Sequence, residues 1–124
     1  QVNQKEKSQM ANPLKGEVEV KLGSETYKCR LNIDALCRIE DELNTGILEL
    51  ATDIANAKVR IKTLIVVLRN AMRGGGNDFD DKKIGLIISD VGIVLACTEV
   101  AKLLVATLSD NNSDEEDKKK VVET

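Results

Sequence analysis

The sequence predicts an α+β domain, mostly helical, in which an N-terminal β-hairpin packs on about four to five α-helices and a disordered C-terminal tail follows. Three observations carry this reading. Val18, Val20 and Leu22 alternate with Glu17, Glu19 and Lys21, and beyond Gly23-Ser24 the alternation resumes with Tyr27, Cys29 and Leu31. From Asn32 the apolar period lengthens to that of a helix, and from residue 109 apolar residues almost vanish. The expected organisation is a flexible extension over 1-12, a single domain over 13-108 and a disordered acidic and lysine tail over 109-124.

A two-stranded hairpin is marginal alone, so its apolar face must lie on the helices that follow. Both strands are edges, blunted by their charged outward side chains. Asn32 stands where an N-cap belongs; Ile33, Leu36, Cys37, Glu40 and Leu43 follow at helical spacing, and Asn44-Thr45-Gly46 is the stop. Thr45 is placed to cap the next helix, whose stripe is Ile47, Leu50, Ala51 and Ile54. Segment 58 to 73 begins like a strand, in VRIKT, but its length selects a helix, and apolar residues nearly encircle it between Leu64 and Leu68. That places it at the centre of the fold. Asp80 is the next expected cap, with Phe79 and Ile84 as a hydrophobic staple; Ile84, Ile87, Ile88 and Val91 form a buried stripe that Gly92 ends. A last helix from Ile93 to Leu108 buries Cys97, Val100, Ala101, Leu104 and Leu108.

The composition excludes several kinds of chemistry. Histidine is absent, which removes serine triads and histidine-paired cysteine mechanisms. Cys29, Cys37 and Cys97 form no CxxC pair, so neither a disulfide framework nor a zinc site is indicated; each is expected to pack as a small hydrophobe in a reducing cytoplasm. Residues 1 to 109 carry 15 basic and 15 acidic side chains, and the tail supplies the whole net charge of −3. A neutral body with one Tyr and one Phe lacks the basic footprint and stacking platform that nucleic acid needs. The stretch GIVLACTEVAKLLVATL contains Glu99 and Lys102 and is too short and too charged to span a bilayer, so no membrane partner is expected.

The motifs have plain explanations. Gly74-Gly75-Gly76 lacks the Gly-Lys-Ser/Thr of a phosphate loop and reads as a flexible connection between helices. Glu40-Asp41-Glu42 point in different directions on a helix, and Asp78, Asp80 and Asp81 lack the register of a calcium loop. No catalytic residue, cofactor or metal site is expected, and the chain is read as non-enzymatic.

The order of a hairpin, then NIDALCRIEDELNTGILELA, then LRNAMRGGGNDFDDKKIGLIISDVGIVLACTEVAKLLVATL resembles a small family encoded in the tail-gene clusters of gene transfer agents and related tailed phages. The resemblance covers roughly residues 10 to 108, from MANPLKGEVEV at Met10 onward, so that residues 1 to 9 read as an extension. Its most telling part is Asn32, Ala35 and Leu36 running into Ile39-Glu40-Asp41-Glu42 and Gly46, beside the Arg73-Gly76 connection. The family carries aromatics in the central helix where this chain has Val66-Val67-Leu68.

The resemblance implies a tail assembly chaperone of a gene transfer agent or prophage. Such a protein works in the bacterial cytoplasm, shields the helical apolar surfaces of the tape-measure protein and meets tail tube subunits. The family is also labelled a tail tube protein, which keeps a structural tail component as the alternative, with an unrelated helical interaction module behind it. For the chaperone, a groove of Val18, Val20, Leu22, Tyr27, Leu36, Ile39 and Leu43 is expected to take amphipathic segments, and a homo-oligomer is left open. Lys118-Lys119-Lys120 is where a slippery lysine-codon run would produce a longer, frameshifted form.

Overall fold

A computed structural model describes the backbone of residues 16 to 123 and the side chains of residues 16 to 109. Among the described residues the order is β1 (Glu17–Leu22), β2 (Glu25–Arg30), α1 (Ile33–Leu43), α2 (Ile47–Ala55), α3 (Ile61–Gly74), α4 (Asp81–Val91) and α5 (Ile93–Glu123). The expected α+β class, a hairpin on helices, is what the fold shows. The extension expected over 1-12 lies outside the described residues.

β1 and β2 pair antiparallel, with Leu22 opposite Glu25 and Glu17 opposite Arg30. Gly23 has φ +72° at the first position of the two-residue turn, a conformation that suits a type II′ hairpin and favours glycine. Val20, Leu22 and Cys29 on the inner face are buried, while Glu19 and Lys21 on the other face are exposed. The hairpin lies across two helices, β2 against α3 and β1 against α5.

The helix ends follow local chemistry. Asn32 caps α1 by accepting a hydrogen bond from Ala35 N at 2.8 Å, and Asn44 ends it in the left-handed region at φ 53°. Asp80 caps α4 by accepting from Lys83 N at 2.9 Å. Thr45 does not cap α2: its hydroxyl donates back to Leu43 O, and Glu40 Oε2 instead accepts from Ile47 N at 2.8 Å. A glutamate one helix earlier thus satisfies the donor that Thr45 was expected to satisfy. The VRIKT stretch splits, with Arg60 as the N-cap position and the helix beginning at Ile61.

α3 is the centre, packed against β2, α1, α4 and α5, with Leu64, Val67, Leu68, Ala71 and Met72 fully buried. Leu103 and Leu104 of α5, Ile84 of α4, Ile54 of α2 and Ile39 of α1 complete the interior. The buried face of α1 is rotated by about a quarter turn from the expected stripe: Ala35, Leu36 and Ile39 pack, whereas Ile33 and Cys37 are exposed. Ala35 is buried on that face, where α1 packs on α3.

The glycine run is a joint, not a flexible connection. A Cβ on Gly74 would overlap the carbonyl oxygen of Arg30, and one on Gly75 would overlap that of Lys28. Asn77 Nδ2 donates to the same Lys28 carbonyl at 3.1 Å. Phe79 is half-buried and meets Tyr27 edge-on, ring centroids 6.0 Å apart, which fastens the loop to the hairpin.

The backbone of α5 continues helically past Leu108 to Glu123, beyond the expected stop. No glycine or proline interrupts the sequence between Gly92 and Glu123. Side chains beyond Ser109 lie outside the described residues.

Candidate partner-binding surface

The carboxylates that the sequence brings together are occupied with structure. Glu40 holds the start of α2, and Glu42 accepts two hydrogen bonds from Arg69 Nη2 at 2.6 and 2.7 Å. Arg69 Nη1 donates to Asp81 at 2.6 Å, so one guanidinium on α3 ties α1 to α4. These hydrogen bonds raise the Arg69 pKa further. Burial pushes the Cys29 thiol up to about 12 and also raises that of Cys97, the opposite of what activates a nucleophile. Among the described residues no group of three or more Cys, Asp or Glu side chains could hold a metal ion.

The expected partner-binding residues sit mostly inside. Val20 and Leu22 are 2% exposed and Ile39 is 0% exposed; Leu36 is buried, and Val18, Tyr27 and Leu43 are half-buried against the core. A partner reaching Val20, Leu22 or Ile39 would have to open the domain, because the helices α3 and α5 already cover that face.

Exposed apolar surface lies elsewhere, in a groove of about 470 Å³ between α2 and α5. Ile54, Ala57, Cys97 and Ala101 form its floor and walls, and Val94 and Val105 stand at its lip, 81% and 57% exposed. Val94, Thr98, Ala101 and Val105 recur at steps of four, three and four along α5, a stripe offset from the core stripe of Cys97, Val100 and Leu104. Sequence reasoning found the core stripe and missed the second. The signal was present, since the run GIVLACTEVAKLLVATL carries more apolar positions than one buried face accommodates.

A second hollow of about 710 Å³ lies where α1 ends, α2 passes and α3 begins, lined by Glu42, Asp53, Lys58, Arg60 and Lys62 among others. Its mixed charges and open form offer no convergent set of groups for a small ligand. No single described helix is long and apolar enough to cross a membrane.

Comparison with known proteins places the chain in a family. Neither the curated proteins nor the solved structures gave a match. A protein-family model described as "Phage tail tube protein, GTA-gp10" matches residues 15–110, which span β1 through the packed part of α5. The chain therefore belongs to the phage tail tube protein, GTA-gp10, family, and its role is related to the tail of a phage or gene transfer agent.

Proposed function

We propose that this protein is a non-catalytic tail assembly chaperone, which binds amphipathic helical segments of the tape-measure protein in the bacterial cytoplasm and assists assembly of tail tube subunits. The observation that carries the reading is the apolar groove between α2 and α5, left uncovered among the described residues, whose walls are helical and whose lip is Val94 and Val105. An amphipathic helix presenting small and branched apolar side chains at steps of three and four matches such walls. The sparse sheet supports the same reading. A tube wall built from extended sheet needs strands with two open edges, and here the Lys28–Arg30 stretch of β2 is closed off by Gly74, Gly75 and Asn77.

The test is calorimetric titration of the full chain with amphipathic helical fragments of the tape-measure protein. Binding is expected for the native chain, and the double variant Val94→Glu/Val105→Glu should weaken it at least about tenfold, as expected for removing two apolar anchors. Both positions are exposed, so the fold should persist. Failure of the folded native chain to bind any fragment would contradict the proposal. The family description favours a second reading, a structural component of the tail tube, which predicts retention in finished particles.

A further inference from the structure

The two edges of the hairpin differ. On β2 the outward carbonyls of Lys28 and Arg30 are met by the Gly74-Gly75 joint, and Asn77 donates to the first of them. On β1, no partner outside the hairpin is described for the backbone of Glu19 and Lys21 among the described residues. The pairing register explains which groups these are. Leu22 and Glu25 close the two-residue turn, so Leu22, Val20 and Val18 exchange hydrogen bonds with β2, and Glu17, Glu19 and Lys21 direct theirs outward. The capture of Lys28, opposite Glu19, by Asn77 fits the same alternation.

We propose that this open edge pairs with β1 of a second copy of the chain, antiparallel, about a two-fold axis through Val20. The strand EVEVKL is complementary to itself in that register. Glu19 of each copy stands directly opposite Lys21 of the other, and the two residues use their outward backbone groups to bond one another. Val18 stands opposite Leu22 of the second copy on the inner face. Shifting the axis to Glu19 sets two glutamates face to face, and shifting it to Lys21 does the same with two lysines. The Val20 register alone among these places no like charges opposite each other.

Burial along β1 agrees with this occupant. Val20 and Leu22 are covered by their own chain, but Val18, at the outer end of the same face, is only half-buried. Pairing sets an apolar Leu22 beside it. The charged side chains that blunt an edge against foreign strands thus select an identical one. The assembly is a closed four-stranded sheet, because pairing uses the open edge of each copy and leaves outermost the β2 edges that the glycine joint obstructs. This inference does not depend on the tape-measure reading.

Sedimentation equilibrium of the full chain tests it, with hydrogen exchange at the Glu19 and Lys21 amides as a second readout. The native chain should have twice the 13.6 kDa chain mass, with both amides protected. Glu19→Lys alone, or Lys21→Glu alone, places two like-charged pairs in each dimer and should weaken association by about tenfold or more. The double variant Glu19→Lys/Lys21→Glu should restore it, and an equimolar mixture of the two single variants should form a mixed dimer. All three substituted chains should keep the native helical circular dichroism, since Glu19 and Lys21 are exposed. A native chain that stays monomeric up to about 100 μM, a concentration at which even weak specific pairs form, would overturn the proposal. So would a dimer that both single variants leave intact.

Discussion

Gly74→Ala and Gly85→Ala should change stability in opposite directions, although both replace a helical glycine. On chain entropy alone each substitution stabilises by about 0.5–1 kcal/mol. At Gly85 nothing opposes that gain, because the new methyl group meets only Ile65 Cδ1 at 3.9 Å, an ordinary contact. At Gly74 the methyl group overlaps the Arg30 carbonyl oxygen and lies 3.4 Å from Arg30 Cβ, so the end of α3 must move away from β2. Overpacking of this kind costs about 1–3 kcal/mol. The movement also stretches the bond from Asn77 to Lys28, at a cost of about 1 kcal/mol. The net expectation is a loss of about 2 kcal/mol, or a fall in Tm of roughly 10 °C for a domain of this size. Urea denaturation followed by far-ultraviolet circular dichroism measures both variants. If Gly74→Ala proves as stable as the native chain, the triglycine run is a flexible connection after all and the sealed β2 edge is refuted.

Three further expectations follow from single side chains. Thr107 is 3% exposed and its hydroxyl has no hydrogen-bond partner among the described residues, so Thr107→Val should stabilise by about 1 kcal/mol in the same urea assay. Arg69→Met should cost about 1 kcal/mol, and because Glu42 and Asp81 are partly exposed, the difference should shrink in 1 M salt. Burial raises the Cys29 thiol from an ordinary value near 9 to about 12, so between those values the unfolded chain releases a proton that the folded chain holds. Stability from this group is full below about pH 9 and falls above it, by up to about 1.4 kcal/mol per unit. Cys29→Ala should flatten that part of a stability–pH profile, and a profile unchanged by the substitution would show the thiol to be exposed.

What was legible in the sequence was what depends on near neighbours along the chain. The hairpin is written in a period of two around Gly23, and Asn32, Asn44 and Asp80 act within a turn of their own position. The centrality of α3 followed from apolar residues on every side of it. What escaped depends on which elements meet. Thr45 is a reasonable cap in isolation, but Glu40 arrives first from the preceding helix. The glycine run looks flexible until β2 is seen to lie against it, and Cys37 looks buried until the packed face of α1 is seen to be Ala35, Leu36 and Ile39. The expected binding residues are apolar, yet most of them are buried where the hairpin and α1 pack on their own domain. An apolar pattern marks a surface that will be covered without saying by which chain.

A protein that assists tail assembly without remaining in the product is distinguished from a retained one by quantitative mass spectrometry of producing cells and of purified particles. Abundant protein in the cells and near absence from the particles is the expected result. Stoichiometric retention in the particles would contradict it and would make the chain a structural part of the tail.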